Sequence, residues 1–212
     1  MERTARTAAR HNGRLRDSEA PVARPEIDRA AIEGAVRTII KAIGERPDRE
    51  GLVGTPRRIA AMYAELFSGL HVDPTELLTV GFEEDRHKEM VIVKDIPFTS
   101  LCEHHFLPMY GVAHVGYIPN GRIVGISKVA RVLEVLARRP QLQERLTSQV
   151  ADLLMDGLKP RGAGVVIEAT HLCMTMRGVR KPGSRVVTSA TRGIFRENPS
   201  TRAEFMALIG CR

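Results

Sequence analysis

Hydrophobic residues in the first third of the chain recur at helical spacing. One apolar stripe covers residues 27–43 and ends before a glycine and a proline, and a second covers residues 59–67. Apolar positions at i, i+3, i+4 and i+7 are typical of a helix that buries one face. The second stripe follows Thr55-Pro56, which we interpret as an N-cap and a first-turn proline. The pattern predicts two helices, and we assign residues 25–80 to an N-terminal helical extension.

Beyond this extension the apolar residues take the spacing of strands. Strands are predicted at 90–93, 112–118, 164–173 and 185–191. Pro119-Asn120-Gly121 has the composition of a tight turn, so we expect a hairpin that leads into Ile123-Val124.

Helical spacing returns between the second and third of these strands. We interpret Ser127 as the N-cap of a helix that ends before Pro140, and a further helix buries apolar residues of 142–154. Asn198-Pro199 opens a short final helix. The predicted order is two helices followed by β-β-α-α-β-β, which makes residues 81–212 an α+β domain.

The composition is that of a globular protein whose charge is concentrated at one end. The chain has 212 residues, of which 43% are hydrophobic and 27% charged, and its formal net charge is +7. Residues 1–16 contain five arginines and one glutamate, so this segment supplies +4 of that charge. Residues 1–24 show no sustained apolar period, and we predict that they form a disordered basic tail.

The same composition argues against nucleic-acid and membrane functions. The remaining net charge is only +3, and six phenylalanines, three tyrosines and no tryptophan offer little to stack on bases. No apolar run approaches the roughly 18 residues that span a bilayer. Three cysteines, all beyond residue 100, do not form a disulfide framework, so we expect a cytoplasmic protein.

Two short clusters of cysteine and histidine are the strongest chemical signal in the sequence. Cys102-Glu103-His104-His105 and His171-Leu172-Cys173 contain the thiols and imidazoles that bind zinc. Because His105 and His171 lie 66 positions apart in the sequence, a zinc site requires the fold to bring the two segments together. A Cys102–Cys173 disulfide and unrelated burial are the alternatives.

The role of His171 has two alternatives. His171 and Cys173 are two residues apart in a predicted strand, so we expect both side chains on the same side of it. If His171 joins the other ligands, the metal site is closed and structural. If it does not, His171 is left beside an open catalytic metal as an acid or a base. The spacing of the residues leaves both alternatives open.

Charged residues at two helix starts suggest a place for an anionic ligand. Lys128 and Arg131 lie in the first two turns of the helix that begins at Ser127. Backbone N–H groups with Lys and Arg at a helix N-terminus form a good phosphate site, although a solvated basic face has the same pattern. Glu144 falls off the apolar face of its helix, which indicates only an exposed first-turn glutamate.

Several motifs, in this order, resemble the GTP cyclohydrolase I family. They are TSLCEHHF at 99–106, GISKVAR at 125–131, RRPQLQERLT at 138–147 and TRAEF at 201–205. The resemblance extends from about residue 27 to residue 209, and the segment 181–184 departs from the expected pattern. It implies the tunnelling fold, in which β-β-α-α-β-β units form rings, and a homodecamer of two stacked pentamers.

The resemblance also implies roles for the metal-binding and catalytic residues. Cys102, His105 and Cys173 match the zinc ligands of the family, which leaves a fourth position for water. His104 and His171 match its catalytic histidines.

Residues that contact the substrate are implied in the same way. Ser127 matches a residue that contacts the ribose or the ring-opened intermediate. The remaining matches are Gln143, Glu144, Lys128, Arg131, Arg177 and Arg58. Glu144 is expected to accept hydrogen bonds from guanine with Gln143 nearby, and Arg58 is expected to reach a neighbouring subunit's site. The other three basic residues are expected to hold the triphosphate.

The implied activity is a zinc-dependent hydrolysis of GTP. The imidazole ring of guanine opens, carbon 8 leaves as formate, and the remainder rearranges to 7,8-dihydroneopterin triphosphate, a precursor in tetrahydrofolate and other pterin biosynthesis. Two alternatives share the fold. One is a nitrile-reducing relative with a nucleophilic cysteine and NADPH. The other is a non-catalytic scaffold whose zinc has four protein ligands.

Overall fold

A computed structural model describes residues 26–79, 81–82 and 87–210. The basic tail predicted over residues 1–24 lies outside these residues, as does Cys211. Within the described ranges, no helix is both long enough and apolar enough to cross a membrane.

Two helices begin the described chain, as the apolar stripes predict. Helix α1 spans Arg29–Ala42, and the side chain of its N-cap Asp28 accepts a hydrogen bond from Ala31 N. Helix α2 spans Thr55–Leu66, and 3₁₀ turns follow at Ser68–His71 and Pro74–Leu78. The N-cap of α2 is Gly54, which has no capping side chain, so the assignment of Thr55 as the cap is wrong by one residue.

In the part of the chain that the structure describes, seven strands follow in two sheets. They are β1 Gly81–Phe82, β2 Val91–Cys102, β3 Pro108–Ile118, β4 Ile123–Val124, β5 Pro140–Gln141, β6 Gly162–His171 and β7 Val186–Gly193. The main sheet has the order β5-β2-β3-β6-β7. Strand β3 is antiparallel to both β2 and β6, and β5 adds to β2 in parallel.

The predicted hairpin at 119–121 is wrong. Strand β4 does not fold back on β3 but pairs with β1, so that Val124 lies opposite Gly81. The reason is that β3 already has β2 on one edge and β6 on the other. The backbone N–H of Val124 instead donates to the buried hydroxyl of Tyr117 at 3.2 Å.

Strand β2 is much longer than the predicted 90–93. It passes a register shift between Val93 and Ile96 and continues through Pro97 to Cys102. Proline is tolerated where a strand has no partner on one side. Pro97 fits this rule, because β5 joins β2 only at Leu101 and Cys102.

Strand β6 ends two residues earlier than predicted. The segment Leu172–Thr175 is a single helical turn, α5, which begins directly after His171. The expectation that His171 and Cys173 share one side of a strand is therefore wrong. Their proximity must come from the way that the chain turns at the end of β6.

Helices α3 and α4 cover one face of the sheet. Helix α3 spans Ile126–Ala137 and α4 spans Gln143–Leu158. The N-cap of α3 is Gly125, so Ser127 is an exposed residue of the first turn and the assignment of Ser127 as the cap is wrong. The large core lies between these helices and one set of alternating strand residues, which includes Val165 and Ile167.

A smaller core lies on the other face of the sheet. Helix α6 spans Ile194–Glu197, and α7 spans Pro199–Ile209 with the predicted N-cap Asn198. Phe205 of α7 is fully buried against Phe195, with ring centroids 5.4 Å apart. A Cβ at Gly116 would lie only 2.8 Å from the Phe205 ring. The ring therefore fits against the sheet because residue 116 has no side chain.

The small core gives a prediction about stability. Replacing Phe205, which is 0% exposed, with Ala should lower the free energy of unfolding by about 3–5 kcal/mol, because the ring leaves a cavity against the sheet. Leu208→Ala on the same helix is the control, since Leu208 is 52% exposed and should change stability by less than about 0.5 kcal/mol. Equal effects in a denaturant titration would contradict this packing.

Candidate metal centre and active site

The ends of two strands meet beside the start of β3. Leu101, next to the last residue of β2, lies opposite Pro108, and His171, the last residue of β6, lies opposite Met109. Pro108 and Met109 are the first two residues of β3. The two Cys/His segments are therefore brought together by their common partner strand.

The segment 102–106, which we call the metal turn, is a tight turn between β2 and β3. Phe106 N donates to Cys102 O at 2.8 Å, and Cys102 N donates to Leu107 O at 3.0 Å. Phe106 has a φ of 51°, which is costly for a bulky side chain. Its ring packs against Phe67, the C-cap residue of α2, with centroids 5.5 Å apart, and this contact helps to hold the turn.

Cys102, His105 and Cys173 form a cluster that fits a metal ion. One ligand atom from each lies within 4.8 Å of the others, and both thiols are free. In a tetrahedral zinc site with Zn–S bonds of about 2.3 Å, the sulfurs are about 3.8 Å apart, so the cluster needs little adjustment. Within the described residues this is the one such group, and it includes neither His104 nor His171.

The environment of Cys173 also suits a cation. Burial raises the pKa of its thiol, and the neighbouring Cys102 raises it further, while Arg177 opposes both. Two adjacent thiols are difficult to ionise together without a positive charge between them. A divalent metal would supply that charge and favour the thiolate forms.

His171 is held by a buried glutamine rather than by the metal cluster. Gln143 is only 1% exposed, and its Nε2 lies 3.0 Å from Ile167 O and 2.9 Å from Val186 O. Because carbonyls only accept hydrogen bonds, the amide orientation is fixed and Gln143 Oε1 must face His171 Nε2, at 2.7 Å. His171 therefore donates from Nε2, and its Nδ1 is left as the second ring nitrogen.

The burial of Gln143 is a feature that the sequence motifs do not predict, and its expected place near guanine stays a prediction. A sequence signal for its burial was present, since Gln143 lies three, seven and eleven residues before the buried Leu146, Val150 and Leu154 of the same helix.

Burial lowers the pKa of His171, and the negative charge of Glu144 opposes this shift. Glu144 is exposed in the first turn of α4, as predicted, and is close enough to act on the imidazole.

The predicted basic residues divide into two groups. Arg177 is at the cluster, where its guanidinium donates to His105 Nε2 at 3.3 Å. Ser127, Lys128 and Arg131 lie at the start of α3, and within the described residues no hydrogen bond or ion pair joins them to the cluster. Arg58 is exposed on α2 and is likewise separate from it.

The direction of α3 explains this separation. Its last residue, Ala137, accepts a 2.6 Å hydrogen bond from Ser100, two residues before Cys102. Its first turn therefore lies at the far end of the helix, about 15 Å away at 1.5 Å per residue. Within one chain, the structure brings together the metal cluster, His104, His171 and Glu144. The residues at the N-terminus of α3 lie apart from them.

Comparisons with known proteins agree with the sequence motifs. The family model described as GTP cyclohydrolase I matches residues 32–210. The protein named GTP cyclohydrolase 1 from Dehalococcoides mccartyi is 63% identical over 184 residues, which cover 86% of this chain and 97% of the relative. That from Thermobifida fusca is 62% identical over 198 residues, covering 92% and 95%. That from Caldanaerobacter subterraneus subsp. tengcongensis is 61% identical over 187 residues, covering 88% and 99%.

Proposed function

Since the chain belongs to the GTP cyclohydrolase I family, we propose that it hydrolyses GTP with release of formate and forms 7,8-dihydroneopterin triphosphate. The observation that carries the proposal is the cluster of Cys102, His105 and Cys173 with His171 held beside it. Such a product belongs to the biosynthesis of folates and other pterins. We also propose that the enzyme acts in the cytoplasm, where thiols stay reduced.

The resident metal is proposed to be zinc. Two thiolates and one imidazole are a donor set that favours zinc over magnesium, calcium or manganese. Cys102, His105 and Cys173 would hold the ion. Zinc with three protein ligands supplies an electrophile that activates water near neutral pH.

His171 and His104 are proposed to move protons on the guanine ring. Because Gln143 occupies Nε2 of His171, the nitrogen free to exchange a proton with the substrate is Nδ1. Burial lowers the pKa of His171, which makes its protonated form a stronger acid towards nitrogen 7 of guanine. Protonation at nitrogen 7 makes carbon 8 more electrophilic and prepares it for attack by water. His104 is exposed on the metal turn and can exchange protons with solvent.

Glu144 is proposed to recognise guanine. Its carboxylate is exposed beside His171, on a helix end whose neighbouring residues Gln143 and Leu146 are buried. Guanine presents two N–H donors on its pyrimidine edge, and a carboxylate accepts from both. Adenine lacks the ring N–H on that edge, so it would leave the carboxylate partly unpaired.

The triphosphate is proposed to bind between subunits. Arg177 belongs to the same chain as the metal cluster. Ser127, Lys128 and Arg131 lie about 9–15 Å along α3 from the end that meets β2. A neighbouring subunit would supply these residues, and Arg58 would act across the same kind of boundary. Exposed apolar residues at the C-terminal end of α1, among them Ile39 and the C-cap residue Ile43, support assembly. We propose the homodecamer of two stacked pentamers that the family resemblance implies.

The function is tested by the products formed from GTP. Purified protein of known zinc content should release one formate per GTP consumed and accumulate a fluorescent pterin after oxidation. A chelator should abolish both, and added zinc should restore them, because water activation depends on the metal. NADPH consumption without formate would favour the nitrile-reducing alternative. Bound zinc with neither product would favour the scaffold.

The role of Glu144 gives a second prediction. Glu144→Gln should lower kcat/KM for GTP about 10- to 100-fold, because a charged hydrogen bond to guanine is lost. The control is Asp156→Asn, which changes an exposed acid near the other end of α4 and should leave kcat/KM unchanged. Turnover of ATP at a rate comparable with GTP by the unaltered protein would contradict the assignment.

A further inference from the structure

An ion pair joins the metal turn to the first turn of α4, and neither partner has a role in the chemistry proposed above. Arg145 Nη2 donates to Glu103 Oε2. Glu103 lies between the cluster residue Cys102 and His104, and Arg145 directly follows Glu144. The pair therefore connects the segment that holds the metal with the segment proposed to read guanine.

The two connected segments differ in how firmly the core holds them. The start of α4 is fixed, because Gln143, Leu146 and Thr147 are buried within it. The metal turn lies at the surface, where His104, His105 and Phe106 are exposed. Glu103 has two contacts with the chain around the start of α4. Besides the ion pair with Arg145, its backbone N donates to the carbonyl oxygen of the buried Gln141 at 3.1 Å.

Global stability does not explain the pair well. The side chains of Arg145 and Glu103 are 41% and 30% exposed, and pairs this exposed contribute little to the free energy of unfolding. A cation in the first turn of a helix also opposes the helix dipole. The Glu103 carboxylate offsets the unfavourable interaction of Arg145 with the helix dipole. It can do so because the metal turn places Glu103 next to the first turn of α4.

We propose that Glu103 and Arg145 are positioning residues that fix the metal turn relative to the N-terminus of α4. They thereby set the distance between the metal bound by Cys102 and His105 and the guanine ring bound by Glu144. The claim about the distance between metal and guanine rests on the proposed function. The claim about the placement of the metal turn is tested by metal affinity and does not depend on turnover.

Neutral variants of the two residues test the pair. Glu103→Gln and Arg145→Gln should each weaken zinc binding about tenfold, measured by competition with a chromophoric chelator. Each should also lower kcat for GTP about tenfold and change KM less than about twofold, because misplaced groups affect the reaction more than binding. Arg145→Lys retains the charge and should stay within about threefold of the unaltered enzyme. Melting temperatures should change by less than about 3 °C.

The double variant and a matched control make the result specific. Glu103→Gln with Arg145→Gln should be no worse than either single variant, because the two residues act as a unit. The control is Asp152→Asn, which changes another residue of α4 and breaks its pair with Arg192 of β7; the Asp152 and Arg192 side chains are 54% and 29% exposed. It lies about 10 Å further along α4 and should leave zinc affinity and kcat unchanged.

The outcomes separate this inference from the proposed function. If the unaltered protein converts GTP but both single variants behave like Asp152→Asn, the positioning role is wrong and the function stands. Multiplicative losses in the double variant would also overturn it. A further outcome is that the protein fails to convert GTP while each single variant weakens zinc binding and the double variant weakens it no further. In that case the placement of the metal turn is supported and the proposed function fails.

Discussion

The register of strand β3 is the constraint on which the rest of the site depends. It places Leu101 opposite Pro108 on one edge and His171 opposite Met109 on the other. Because Pro108 and Met109 are adjacent, two segments that are distant in sequence must end at one point of the sheet. A slip of one residue would turn one set of side chains to the opposite face and separate the thiols. The metal cluster is thus a product of sheet pairing rather than of local sequence.

Buried and exposed contacts support the site in different ways. The interior holds His171 through Gln143, whose amide donates to two backbone carbonyls and so fixes which imidazole nitrogen is bonded to Gln143. The surface holds the metal turn through the packing of Phe106 on α2 and the Glu103–Arg145 pair. The first kind of contact resists any change of tautomer. The second leaves His104, His105 and Phe106 of the turn exposed to solvent.

Local signals in the sequence predict the helices and most strands, and the non-local features are where prediction fails. Asn198 is the expected cap of α7, whereas Ser127 is not the cap of α3, since helix starts are uncertain by a residue or two without tertiary contacts. The hairpin at 119–121 fails because both edges of β3 are occupied. Motifs identify Cys102, His105 and Cys173, but only the fold shows that they meet. The direction of α3, which separates Lys128 from the cluster, has no local signal.

The central claim is that the metal has three protein ligands and an open position. X-ray absorption at the zinc edge, on purified protein with one zinc per chain, tests it most directly. We expect two sulfur ligands at about 2.3 Å and two nitrogen or oxygen ligands at about 2.0–2.1 Å, with outer-shell scattering from a single imidazole. Scattering from two imidazoles together with two sulfurs would show a closed site with a second histidine bound. That result would contradict both the open position and the assignment of His171 as a proton carrier.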